Sequence, residues 1–265
     1  MKYKVGFIGC GNMASAIIGG LIEKASIEPS SIIASDALPA MLTKISEQRG
    51  IHTTSDNLEV VKEAEIIFLA VKPQYYETVI SEIKGCITKD QVVVTIAPGK
   101  TLAWLEDNLG PVKIVRTMPN TPALVGEGIT GVCRNQHVYD GEYQYIMGLI
   151  RSFGMAEDIP ENLMDVCVSV SGSSPAYVFM FIEAMADAAV MDGMPRDKAY
   201  TFAAQAVYGS AKMVLETGKH PAELKDMVCS PGGTTIEAVR VLEEKGFRSS
   251  VMEAMKACTK KARGL

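Results

Sequence analysis

Histidine is scarce in this 265-residue chain: His52, His137 and His220 are the only three, far apart in sequence. A histidine-built metal site or a Ser-His-Asp triad is therefore poorly supported. The six cysteines, Cys10, Cys86, Cys133, Cys167, Cys229 and Cys258, form no C-x-x-C pair. Neither a zinc site nor a disulfide framework fits that spacing, and no metal is expected. Buried free thiols in a reducing compartment, the cytoplasm, are the expectation. The net charge of -5 leaves no broad basic face, which argues against nucleic acid as a partner. A first strand that begins by Lys4 leaves no room for a signal peptide. What remains, 48% hydrophobic and 22% charged residues, is the composition of a globular protein with one large or two modest domains.

The chain is organised around its opening, Lys4-Val5-Gly6-Phe7-Ile8-Gly9-Cys10-Gly11-Asn12-Met13-Ala14. Val5, Phe7 and Ile8 read as a buried strand. Ala14, Ile17, Ile18, Leu21 and Ile22 then recur at helical spacing, so one helix face is apolar. Strand, glycine turn and helix together point free backbone N–H groups at a bound anion. Gly9 permits the tight turn, Gly11 lets a pyrophosphate approach, and Ala14 fills the third small position of G-x-G-x-x-G/A. The same motif also serves as a plain strand–helix turn in other α/β domains. Its place directly after an N-terminal strand favours the dinucleotide.

Ser31 to Asp36 reads as a second strand with an acid at its end, placed to bond the adenine ribose hydroxyls. An ordinary turn aspartate is the alternative. No lysine or arginine falls between Ser31 and Thr43, so the residues lean toward NADH over NADPH. Residues 51–54 suggest a short third strand. Ser55 or Asp56 would cap the helix through Leu58, Val61 and Ala64. Residues 66–71 and 92–96 are continuous apolar runs, as expected of parallel strands buried on both faces. They end in Lys72-Pro73 and Ala97-Pro98-Gly99, at the edge where α/β sheets bind ligands. Thr101 would cap a further helix, and a strand over 113–116 runs into Met118-Pro119-Asn120. Alternating strands and helices predict a doubly wound α/β sheet over residues 1–160.

From Glu161 onward the pattern is helical, giving an expected second, all-α domain over residues 161–265. A helix over 174–191 is apolar nearly all round, through Val178, Phe179, Met180, Phe181, Ile182, Met185, Ala186, Ala189 and Val190. Glu183 and Asp187 interrupt it, which argues against a membrane span. A second subunit is expected to cover it, an intrachain core being the alternative. Near the C-terminus, Ser230-Pro231-Gly232-Gly233-Thr234-Thr235-Ile236-Glu237 places two glycines before a T-x-x-E capping box. This is a second helix start with bare amides, suited to a carboxylate or simply a capped glycine turn.

Five segments together resemble pyrroline-5-carboxylate reductase: 6–13, 70–73, Met118-Pro119-Asn120-Thr121-Pro122, Ser171-Gly172-Ser173-Ser174-Pro175-Ala176-Tyr177, and the run from His220 through Glu237. The resemblance spans essentially the whole chain. It implies an N-terminal Rossmann domain and a helical dimerisation domain that interleaves with its twin, as a dimer or a ring of dimers. It implies hydride transfer from NADPH or NADH to the C=N carbon of a cyclic imine carboxylate. Gly9, Gly11, Asn12 and Met13 match the pyrophosphate turn. Ser35 and Asn57 match the adenosine end, where Asp36 departs from a serine common in NADPH-preferring members. Ala70, Val71, Lys72 and Pro73 match the loop along the nicotinamide half. Ser230, Gly233, Thr234 and Thr235 match the substrate site, and Pro98 replaces a common alanine with no functional account. Thr235 is the expected hydrogen-bond donor to the imine nitrogen.

Two other readings stay open. A β-hydroxyacid dehydrogenase opens with a similar turn and uses a lysine of its helical domain, for which Lys212 and Lys225 are the candidates. A nicotinamide-binding sensor would hold the cofactor without turnover, but has no need of a second anion pocket.

Overall fold

The computed structural model describes residues 1–264. The first part of the chain alternates strand and helix: β1 (Tyr3–Ile8), α1 (Asn12–Glu23), β2 (Ile32–Ser35), α2 (Pro39–Arg49), β3 (His52–Thr54), α3 (Asn57–Glu63), β4 (Ala64–Leu69), α4 (Tyr76–Ile83), β5 (Val92–Thr95), α5 (Leu102–Leu109) and β6 (Lys113–Met118). It continues with β7 (Gly128–Arg134), α6 (Asp140–Ile150) and β8 (Gly154–Asp158). The strands form one sheet in the order β3-β2-β1-β4-β5-β6-β7-β8. β1 through β6 are parallel, β7 runs against β6, and β8 follows β7. This is the doubly wound, Rossmann-like sheet expected from the pattern. Its order reverses between β1 and β4, the switch point where such sheets bind ligands.

Apolar strands explain why both faces are covered. Val5 and Phe7 enter one core with Ile17, Ile18 and Leu21 of α1, while Ile8 enters the other with Val60, Val61 and Ile80. Phe7 of β1 stacks on Phe68 of β4 at 4.9 Å between ring centres. The strand over 66–71 stops at Leu69, which frees Ala70 and Val71 for the loop beyond it. β7, α6 and β8 are not among the predicted elements, and they extend the sheet on its β6 side.

The compact units divide at a different place from the composition. One comprises Met1–Ser173 with the chain from Cys258 onward; the other is Ser174–Ala257. The first unit keeps α7 (Met164–Cys167) and a π-helical turn, Val168–Gly172. It also holds the end of the last helix, where Thr259 Oγ1 donates to Ser169 Oγ at 2.7 Å. The change from strand to helix at Glu161 therefore precedes the change of unit at Ser174.

The second unit holds α8 (Ser174–Met191), α9 (Arg196–Thr217), α10 (Pro221–Val228), α11 (Thr234–Glu244) and most of α12 (Phe247–Ala262). α8 and α9 are joined by an Arg196–Asp187 ion pair, and Phe181 meets Phe247 at 6.1 Å. Only Pro175, Ala186, Ala199 and Ala203 are buried in this unit. Phe179 is 63% and Met180 68% exposed, so α8 is not an intrachain core helix. The helical stretch Glu161–Met191 is long and apolar enough to cross a bilayer, with only 6% of its most apolar 18 residues buried.

Candidate active site

The glycine turn between β1 and α1 lies at the switch point. Gly9 has φ +101°, and a Cβ there would sit 2.7 Å from the Ala70 carbonyl oxygen. Only glycine lets the β1 and β4 ends approach this closely. Gly11 is different, because a Cβ built on it meets nothing within 4 Å. Its smallness answers to nothing inside the chain and leaves space for a ligand. Gly11 also caps α1 without a side-chain bond, and the first intrahelical bond is Ser15 N–H to Gly11 O. The amides of Asn12, Met13 and Ala14 are thus left for an anion. A cavity of about 160 Å³ opens beside them, lined in part by Cys10, Gly11, Asn12, Ser15, Lys44 and Gln48. These residues fit the pyrophosphate of a dinucleotide.

Asp36 follows β2 and is turned back onto the glycine turn. Its Oδ2 accepts from Cys10 N–H at 2.8 Å and its Oδ1 from Leu38 N–H at 2.9 Å. The carboxylate is fixed by backbone donors and keeps lone pairs for ribose hydroxyls. Burial, with the nearby Asp36 charge, pushes the Cys10 thiol up to about 12, so it stays protonated and inert. Ser35 Oγ donates to Asn57 Oδ1 at 2.7 Å, and Asn57 Nδ2 donates to Glu82 at 2.8 Å. The two residues matched to the adenosine end are therefore neighbours. Asp56, not Ser55, caps α3. Lys44, one residue beyond the stretch that lacks basic side chains, lines the cavity at the turn.

Ala70, Val71, Lys72 and Pro73 follow β4 directly beside this turn, with Ala70 N–H bonded to Ile8 O at 2.8 Å. Lys72 and Pro73 are exposed. Tyr76, which no motif marked, is fully buried beneath this loop and bonds Leu69 O at 2.7 Å. Asn120, also unmarked as a site residue, bonds Ile129 N–H and Ser171 O and so ties the turn after β6 to the π-helical segment. Nothing in the structure explains Pro98.

Ser230, Gly233, Thr234 and Thr235 lie together in the helical unit, before and at the start of α11. Gly232 has φ +67°, and Gly233 N–H bonds Ser230 O at 3.0 Å. The capping box does not form. Gly233 takes the cap position, Thr234 becomes the first helical residue, and no side chain caps the helix. Glu237 instead holds Arg240 through both of its oxygens. The first amides of α11 are therefore barer than a capping box would leave them. Lys212 and Lys225 are each paired with a carboxylate, Glu216 at 3.5 Å and Asp226 at 2.7 Å.

Residues 161–265 match the family model for pyrroline-5-carboxylate reductase dimerisation, and residues 4–99 match that for NADP oxidoreductase, coenzyme F420-dependent. The pyrroline-5-carboxylate reductase of Escherichia coli K12 is 56% identical over 266 residues, covering 100% of this chain and 99% of the relative. The chain belongs to the pyrroline-5-carboxylate reductase family. Two solved pyrroline-5-carboxylate reductases agree in fold. That of Coxiella burnetii has a TM-score of 0.90 at 35% identity, covering 100% of this chain and 98% of the other. That of Plasmodium falciparum, solved with NADP bound, has a TM-score of 0.90 at 32% identity with the same coverage. α8, with its exposed apolar face, lies within the residues matched to the dimerisation model.

Proposed function

We propose that this chain reduces 1-pyrroline-5-carboxylate to L-proline with NADPH or NADH, as a self-associating enzyme of proline biosynthesis. The observation that carries this is the uncapped start of α1 beside open space at Gly11, in a member of this family. Residues 1–160 serve as the dinucleotide-binding domain, and residues 161–265 as the substrate-binding and dimerisation domain. The amides of Asn12 and Met13 receive the pyrophosphate, while Ser35, Asp36 and Asn57 receive the adenosine. Ala70 to Pro73 border the nicotinamide. When bound, the reduced nicotinamide supplies the hydride that the C=N carbon accepts.

The chain's own residues bind and orient the imine. Ser230 and the amides of Gly233 and Thr234 hold its carboxylate, helped by the partial positive charge at the start of α11. The Thr235 hydroxyl donates a hydrogen bond to the ring nitrogen, whose basicity rises as the double bond is lost. No strong acid is needed, because a protonated imine already carries its proton. Self-association covers α8, as a dimer or a ring of dimers, in the cytoplasm, with no membrane or nucleic-acid partner.

Oxidation of NADH and NADPH, run in parallel with pyrroline-5-carboxylate, tests the reading. Turnover that yields proline supports it. Activity on a hydroxyacid alone, or cofactor binding with no turnover on any imine, would replace it with the dehydrogenase or the sensor.

A further inference from the structure

Three hydroxyls tie together the carboxyl ends of β4, β5 and β6. Tyr76 Oη donates to Leu69 O at 2.7 Å and lies 2.8 Å from Thr95 Oγ1. A tyrosine has one O–H, and it is spent on Leu69, so Thr95 must be the donor to Tyr76. Thr95 Oγ1 in turn accepts from Ala97 N–H at 3.5 Å, and Thr117 Oγ1 donates to Thr95 O at 2.8 Å. The chain of donors runs from the loop after β5, through Thr95 and Tyr76, to the last residue of β4. All three hydroxyl-bearing residues are buried. Burial pushes the Tyr76 phenol up to about 12, so it remains a donor throughout the neutral range.

What this chain of bonds holds is specific. Leu69 is followed by Ala70, whose N–H bonds Ile8 and whose carbonyl crowds Gly9. Tyr76 grips the end of β4 from below while the glycine turn presses on the loop beyond it. The geometry points to Tyr76 as a positioning residue, one that sets the Ala70–Pro73 loop against the Ala97–Gly99 loop and so fixes where the nicotinamide ring lies. This rests on the assignment of Ala70–Pro73 to the nicotinamide half. Hydrogen bonds fully satisfied in a buried network restrict such loops to one arrangement. The adenosine end, held by Ser35, Asp36 and Asn57, shares none of these bonds.

Tyr76→Phe keeps the ring and removes the hydroxyl. Titration calorimetry with NADPH or NADH, and with the matching ADP-ribose fragment that lacks nicotinamide, separates positioning from general loosening. Tyr76→Phe weakens the whole cofactor several-fold, leaves the fragment unchanged, lowers kcat about tenfold and raises the deuterium isotope effect from cofactor deuterated at both C4 positions. Thr95→Val gives a smaller loss in the same direction, and Thr95→Ser restores it. Parallel weakening of cofactor and fragment, or no change in either, overturns the proposal. Val71→Trp checks the assignment beneath it by blocking the loop: intact cofactor binding there removes the assignment itself. Blocked binding with a silent Tyr76→Phe removes only the role of Tyr76.

Discussion

The sheet unit and the helical unit satisfy their apolar surface in opposite ways. In the sheet unit Val5, Phe7, Ile17 and Ile67 are sealed on both faces by helices of the same chain. In the helical unit, three of the four buried residues are alanines, while Phe179, Met180, Phe202 and Leu215 face outward. The sheet unit holds a core that could stand alone. The helical unit, which falls within the residues matched to the dimerisation model, leaves its large apolar side chains for another surface to cover, as the members of an obligate interface do. The turn before α11 thus lies in the unit with little core of its own, and the turn after β1 in the unit with a complete one.

Charge on α8 should break that contrast most severely. Phe179→Glu places a carboxylate where apolar contact is required and raises the dissociation constant by about a thousandfold or more. Light scattering should then find monomers that still bind cofactor fragments. Thr235→Ala acts only on the second turn. It lowers kcat by about a hundredfold, with cofactor affinity unchanged in a fluorescence titration.

Within the sheet unit the two glycines of the turn should separate. Gly9→Ala costs roughly 1–3 kcal/mol of stability, since the alanine meets both an unfavourable φ and the Ala70 carbonyl. Gly11→Ala shifts stability by less than about 0.5 kcal/mol but weakens the cofactor, because its Cβ enters only the ligand's space. Denaturant melts alongside cofactor titrations distinguish them. Asp36→Ser moves the affinity ratio toward NADPH on the order of tenfold, by removing a fixed carboxylate that repels a 2′-phosphate. An unchanged ratio would assign that choice to Lys44.

The smallest effect concerns pH. The Tyr76 phenol rises from 10 to about 12 on folding. The unfolded chain therefore ionises first, and the folded state loses this contribution as pH climbs from about 10 to about 12. Tyr76→Phe should flatten that part of the stability curve.

Much of this was legible because local pattern and final structure agree. The apolar run through Ile67 and Phe68 could hardly be anything but a strand buried on both faces. Pro195 and Gly218 bracket α9 by backbone preference alone. β7 escaped because Gly131, Thr130 and Cys133 blur its alternation, and α6 because Gly141 and Gly148 dilute its helical signal. At the site, residue types at fixed spacing revealed the turns but not their supports. Asp36 meets Cys10 across 26 residues and Tyr76 meets Thr95 across 19, and no periodicity encodes either pairing. The capping box failed because Gly233 took the cap one residue earlier than Thr234.

Label transfer tests hydride delivery to the imine most directly. With NADPH or NADH carrying deuterium at both C4 positions and pyrroline-5-carboxylate, mass spectrometry should find one deuterium in each proline formed, at a rate that falls with Thr235→Ala and with Gly11→Ala alike. Proline without label, or label transfer indifferent to the second turn, would contradict the account.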